Sequence, residues 1–256
     1  MMKKNRNTIK SKKEEDRLLF GKKPDRILFD HLPKCGGTTI FWYLRDHYPA
    51  NRIFDTRFTY PETIKEFKSY PEYIRFGFRL ITGHHTFELL NYVHPETKAI
   101  IVFREPVSRI VSHYYYVLEN ENVKAHIELV NKNIKLGDYP TSEINSGLRN
   151  FYTRRFSRLS FEEMEQNQEF AIEKAFNFIT SNYILVGFQD NLVDFVEKIR
   201  ELTNLDKPFI NRRINKTKNK VSFSQIPEET KQKIAESNVL DIKLYDLLKL
   251  HYSKSD

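Results

Sequence analysis

Two short stretches of this 256-residue chain carry residue types that grip an anion. The first, PKCGGTT at 33–39, stands between an apolar run, ILFDHL (27–32), and a helix-forming run, TTIFWYLRDHY, from Thr38. Gly36 and Gly37 permit torsions that turn successive backbone N–H groups to one side, and a helix start adds partial positive charge. A phosphate or sulfate group is what such amides cradle. The candidate cradle runs from Lys34, a mobile full charge, through Cys35, Gly36 and Gly37 to the hydroxyls of Thr38 and Thr39. The lysine precedes the glycines, so the GxxxxGK[ST] spacing of a Walker A loop is not met. An ordinary strand-to-helix turn is the plainer account, but Lys, Gly-Gly and Thr-Thr at one such junction favour the anion site.

The second stretch is IVFREPVSRIVSHYYYV (101–117). Arg104 ends the clearest apolar run, KAIIVFR (98–104), and Ser112 lies two turns into the helix that Pro106 starts. A guanidinium there forms forked hydrogen bonds with a phosphate, and a helical hydroxyl completes the contact. Taken alone, an arginine at a strand end is equally well explained by a salt bridge. A third feature is the pair His84 and His85, directly after RLITG (79–83). A neutral imidazole near pH 7 suits removal of a proton from a hydroxyl. In an extended chain neighbouring side chains point to opposite faces, so only one of the two faces a given ligand. His113 sits among the aromatics of a packed helix and reads as structural, while His31 helps to shape the first loop. Trp42 and Tyr114–Tyr116 look like ligand platforms, but their helical spacing assigns them to the core.

The elements that must position these groups follow from periodicity. Strands are expected at 27–32, 79–83, 98–104 and 183–188. Helices are expected at 61–69, from Pro106, from the Ser160–Glu163 capping box to about 179, at 190–202, and from Pro227 to Leu250 with one break. In the Pro106 helix, Val107, Ile110, Val111, Tyr114, Val117 and Leu118 form the stripe of a helix packed on a sheet. The alternation predicts an α/β, P-loop-like three-layer fold, a central parallel sheet flanked by helices, with ligands at the carboxyl ends of the strands. No repeat or long linker divides the chain, so one domain (27–256) follows a basic, flexible arm (1–26).

Composition narrows the function. Hydrophobic residues make up 39% and aromatics 14%, enough for a sizeable core, which excludes disorder throughout. A single cysteine excludes a disulfide framework and a cysteine-rich metal cage, and no HExxH spacing occurs, so no metal is expected. No apolar run reaches membrane length and the first residues lack a signal-peptide core, which predicts a cytoplasmic protein. Of the net charge of +8, the arm carries +6. A second block, KPFINRRINKTKNK (207–220), holds six basic side chains and no acidic one, and reads as a local anion site or a solvated loop. Charge gathered in two blocks is not the basic face of a nucleic-acid binder, and no nucleic-acid partner is expected. The arm is suited to touching an anionic membrane surface from the inner side.

In this order the two motifs resemble the nucleotide-dependent sulfotransferases, in particular the carbohydrate branch that includes heparan sulfate 2-O-sulfotransferase and bacterial relatives. His31–Thr39 matches that family's HxPKxGGTT, its 5′-phosphosulfate loop, and Arg104–Tyr116 matches RxPxxRxxSxYYY, its 3′-phosphate element. Weaker likeness covers Gly83–His84, Asn145–Arg149, 185–192 and 212–220, so the resemblance spans roughly 26 to 250. It implies transfer of a sulfuryl group from 3′-phosphoadenosine 5′-phosphosulfate to a hydroxyl of a carbohydrate or glycolipid acceptor. It further implies Lys34 on the leaving phosphate, His84 as base, and Arg213, Lys216, Thr217 and Lys218 closing over the donor. His85 and Arg149 then face the acceptor; exchange of His84 and His85 is the alternative. The branch has a second histidine where this chain has Thr82. Competing readings are a P-loop-type nucleotide kinase or phosphotransferase, which needs a magnesium–triphosphate site, and a non-catalytic polyanion-binding protein, suggested by the net positive charge.

Overall fold

The computed structural model describes residues 25–57, 61–209 and 221–253. Five strands form one parallel sheet: β1 (Ile27–Asp30), β2 (Ile53–Asp55), β3 (Leu80–Gly83), β4 (Lys98–Phe103) and β5 (Leu185–Phe188), in the order β2-β3-β1-β4-β5. Every residue of β1 is fully buried, as a strand covered on both faces must be, which is why its sequence runs apolar without alternation. Asp30 stands opposite Gly83 on one side and Ile101 on the other. The flanking helices are α1 (Gly37–Arg45), α2 (Glu62–Ser69), α3 (Glu72–Arg75), α4 (Pro106–Glu119), α5 (Lys124–Asn131), α6 (Phe151–Ser157), α7 (Phe161–Gln166), α8 (Gln168–Asn182), α9 (Leu192–Leu202), α10 (Glu228–Glu236) and α11 (Val239–Ser253). The α/β fold with a helix-flanked parallel sheet is therefore as expected. From β1 the chain moves toward the β2 edge and from β4 toward the β5 edge. Right-handed crossovers then carry α1 and α4 to opposite faces and leave a crevice where β1 and β4 end.

Several expectations change. The edge strand β2 escaped the reading because three residues are too short to show a period. The helix opened by the Ser160–Glu163 capping box stops at Gln166; Asn167, at φ −143°, leaves helical torsions and caps α8 through its own side chain on Phe170 N. The stripe on α4 is real but packs elsewhere. Val107, Ile110, Val111 and Val117 join Leu129, Tyr139 and Ile234 in a second core, separate from the sheet's own, and Leu118 is exposed. Asp25 and Arg26, placed in the arm from the sequence, are tied to the domain: Arg26 donates to Phe76 O and Phe78 O (2.6 and 2.8 Å) and Lys98 pairs with Asp25 (2.8 Å). Residues 1–24 lie outside the described residues. Among the described residues no helix is long and apolar enough to cross a membrane.

Two helix starts cap each other across the core. Asn150, at φ 46°, offers Oδ1 to Leu240 N (3.1 Å), while buried Asp241 accepts from Tyr152 N (2.9 Å), Thr153 N (2.8 Å) and Thr153 Oγ1 (3.0 Å). Burial pushes the Asp241 carboxyl up, against the opposing pull of Arg109 and of these donors. Asp241→Ala leaves these buried donors unmet, at roughly 1–3 kcal/mol each before relaxation. The expected loss is about 3 kcal/mol in urea unfolding, and a loss near zero would show that α6 needs no such cap.

Candidate active site

The loop after β1 is built to expose backbone donors. Lys34 (φ 67°) and Gly36 (φ 83°) both take left-handed torsions, which turn the chain sharply into α1. No side chain caps that helix, and the amides of Gly36 and Gly37 have no hydrogen-bond partner among the described residues. A side chain at either glycine is costly. A Cβ on Gly37 would sit 2.1 Å from His31 Cδ2, and one on Gly36 would meet Leu192 Cδ1 at 2.9 Å in a torsion that L residues resist. Cys35 departs from its expected place in the cradle. Its side chain is buried against Tyr152 (Sγ to OH 3.2 Å), burial pushes the thiol pKa up, and its amide donates to Leu32 O (3.4 Å). The Thr39 amide likewise closes the first turn on Gly36 O (3.2 Å).

Arg104 arrives at the same place from β4. Its guanidinium donates from Nη1 to Lys34 O (3.1 Å) and from Nε and Nη2 to Ser108 Oγ (3.0 and 2.8 Å). The two predicted anion sites are thus in direct contact. The start of α4 is occupied by Glu105, whose carboxylate accepts from Val107 N (2.8 Å) and Ser108 N (2.6 Å). An anion in this second cradle therefore relies on side chains. Ser108, Ser112 and Tyr116 follow at i+4 spacing on one face of the helix. Ser112 is 6% exposed, and Ser108 is the hydroxyl that Arg104 holds. Tyr116 lies at the upper end of this face with its ring under Lys34 Nζ at 4.0 Å, correcting its assignment to the core. The signal was its place four residues beyond Ser112 on the motif's own face.

His84 completes the cluster. Its Nδ1 is 2.7 Å from His31 O; a carbonyl only accepts, so Nδ1 carries the proton and Nε2 keeps its lone pair. Burial lowers its pKa, against the bond to His31, so the ring is neutral near pH 7. The His31 ring lies 5.0 Å away and is driven down to about 3 by burial. A second imidazole does stand beside His84, supplied by β1 and not by position 82. The chain is not extended here as expected. Gly83 (φ 128°) has Thr56 Oγ1 2.6 Å from where a Cβ would sit, and His85 is left-handed (φ 64°). The two imidazoles still diverge: His85 turns toward Glu88 (Nδ1 to Oε1 3.9 Å) and falls to about 4 through burial and the nearby Arg155 charge.

The comparisons meet this geometry. The sulfotransferase domain family matches residues 31–239, from the histidine before the glycine loop to the start of α11. The chain belongs to the sulfotransferase domain family. Among solved structures it is similar to mouse sulfotransferase SULT7A1 complexed with PAP, at 19% identity and a TM-score of 0.34. That match covers 72% of this chain and 60% of the mouse chain, so the present chain spans less than two thirds of that structure. No curated protein matches it.

Elsewhere in the sulfotransferase domain the expected and observed roles diverge. Arg149, expected at the acceptor, is paired with Glu165 (2.7 Å) and stacked on Phe161 (4.5 Å). His113 is structural as expected, bonded to Tyr139 OH (2.8 Å). Arg213, Lys216, Thr217 and Lys218 lie outside the described residues. Among the described residues no group of three or more His, Cys, Asp or Glu side chains could hold a metal. Two arginines near the histidines escaped the sequence reading. Arg57 clasps Asp55 (Nη2 to Oδ2 2.7 Å) over the Phe41 ring, and Arg155 pairs with fully buried Asp30 (2.7 Å), which also accepts from Tyr183 OH (2.7 Å). Neither stands in a motif; each is named only by the fold that brings it to the ends of β1 and β3.

Gly37→Ala forces the His31 ring aside. The expected cost is about 1–3 kcal/mol in urea unfolding, partly recovered when His31→Ala is added. Equal losses with and without the imidazole would remove the clash as the cause.

Proposed function

We propose that this sulfotransferase-family chain moves a sulfuryl group from 3′-phosphoadenosine 5′-phosphosulfate to a carbohydrate hydroxyl. The observation that carries the reading is the bond from Arg104 Nη1 to Lys34 O, which joins two anion cradles beside an imidazole with an available lone pair. A donor with a phosphosulfate at one end and a phosphate at the other asks for such a pair. The Gly36 and Gly37 amides and Lys34 suit the 5′ side, and Arg104 with Ser108 and Ser112 suits the 3′-phosphate. In this reading His84 Nε2 takes the acceptor proton as the hydroxyl oxygen bonds to sulfur. The bond from sulfur to the 5′-phosphate oxygen breaks, and Lys34 with the glycine amides stabilises the charge left on that oxygen. The products are a sulfate ester and adenosine 3′,5′-bisphosphate. The carbohydrate acceptor rests on the motif resemblance, and the cytoplasmic, membrane-peripheral setting on the composition of the arm.

At one hundred times its dissociation constant, adenosine 3′,5′-bisphosphate adds about 2.7 kcal/mol of stability, a rise in Tm of roughly 5–10 °C for a domain of this size. Lys34→Ala and Arg104→Ala are expected to abolish most of it, and His84→Ala to keep it. Protection by magnesium–ATP with none from the bisphosphate would favour a phosphotransferase instead. In transfer of radiolabelled sulfate to a glycan panel, His84→Ala is expected to lose about 10²–10⁴-fold. A lowered pKa keeps the base neutral into mild acid, so the acid limb of kcat/KM belongs below the ordinary histidine value of about 6.5. A limb above 7 would remove His84 from that role.

A further inference from the structure

Beyond these groups stands the hydroxyl of Tyr152 on α6, a helix that carries none of the motifs. The ring is fully buried, held edge-on against Phe103 (5.1 Å) and near Phe151 (5.8 Å), and its amide is capped by Asp241. Its oxygen touches both cradles. It lies 2.9 Å from Arg104 O, 3.3 Å from Arg104 N and 3.2 Å from Cys35 Sγ. The phenol has one proton and a carbonyl only accepts, so that proton goes to Arg104 O. The Arg104 N–H then donates to the phenol oxygen, and the Cys35 S–H is shared between that oxygen and Pro33 O (3.6 Å) in the same loop. Burial raises the pKa of phenol and thiol alike, which keeps both protons in place. Every hydrogen-bonding capacity of the hydroxyl is used, and each partner belongs to one of the two anion loops.

We propose that Tyr152 is a positioning residue whose hydroxyl couples the two loops, so that the two phosphates of the donor are bound cooperatively. The inference rests on the donor assigned above. Without the hydroxyl each loop still folds on its own strand and binds a single phosphate. What is loosened is the separation between them, then held by the Arg104–Lys34 bond alone, and only a ligand with both phosphates senses that change. Cys35 transmits the coupling to the first loop, and the Arg104 backbone to the second.

Titration calorimetry on the full chain with adenosine 3′,5′-bisphosphate, adenosine 5′-phosphate and adenosine 3′-phosphate tests this. Tyr152→Phe keeps the ring and removes one oxygen. It is expected to weaken the bisphosphate about tenfold, within the usual range of site coupling, and each monophosphate by less than about twofold. Cys35→Ala removes the other leg and is expected to act likewise, while Cys35→Ser, which restores a donor, returns toward the parent. Ile179→Val, a fully buried truncation on α8, controls for lost stability and leaves the ratio unchanged. Equal weakening of all three ligands in Tyr152→Phe and Cys35→Ala, or no weakening in either, overturns the coupling while the donor assignment stands. A parent that shows no preference for the bisphosphate overturns the donor assignment, and the coupling with it.

Discussion

The side-by-side ends of two central strands govern the rest of this molecule. Asp30 and Ile101 are register partners, so β4 runs two residues past the end of β1 before it turns. The chain after β1 climbs through His31–Pro33 to the same level, and the Arg104 guanidinium meets the Lys34 carbonyl there at 3.1 Å. A parallel sheet whose connections diverge from this point cannot fill the crevice with its own helices. What stands at that point is Lys34, Arg104 and the amides of Gly36 and Gly37. The buried Asp30–Arg155 pair, with Tyr183 on the other carboxylate oxygen, holds the end of β1 from beneath. Its cost in desolvation is offset only because both carboxylate oxygens find donors.

The surroundings of the three neighbouring imidazoles keep them neutral. Burial is the largest influence on His31, His84 and His85, and the charge of Arg57 or Arg155 adds to it in each case. A proton on any of these rings would lie among like charges in a poorly solvated place. An imidazole intended as a proton acceptor gains from this, since it reaches neutral pH empty. The His31 carbonyl then decides which nitrogen is empty, because only a ring protonated at Nδ1 can bond to it. The residue that shapes the first loop thereby also orients His84. Gly37 sits at the meeting of the two roles, with the imidazole of His31 where a side chain would be.

Much of this was legible in the residues, and the failures have physical causes. Four of five strands and the two strand-end loops stand out because their signals are local, an apolar run and a glycine pair at a helix start. The strand β2 is three residues long and takes its conformation from β3, which no local pattern reveals. The α4 stripe is correct as periodicity, but periodicity says that a face is buried and not against what. A second core of α5 and α10 claims it. Cys35 lies inside the motif but points inward, because the left-handed torsions on either side of it reverse the direction of successive residues. Tyr116 and Tyr152 are ordinary aromatics by composition, and only the packed structure separates a ring beneath the Lys34 ammonium from one in a core.

The two anion loops begin helices of equal orientation and opposite chemistry. Before α1 the capping position is Gly36, with no side chain to quench the first amides; before α4 it is Glu105, whose carboxylate takes two of them. A helix start closed by its own acid has its partial charge answered and offers little to a second anion. In the proposed reading recognition there falls to Arg104, whose planar fork sets direction as well as charge. The backbone-lined loop can accept a group whose charge and shape change during a reaction, since amides around a curve impose no single axis. The fork suits an end that must stay fixed while the other end reacts. Such a division of labour between neighbouring strand ends fits the proposed donor, anchored by one phosphate and cleaved at the other.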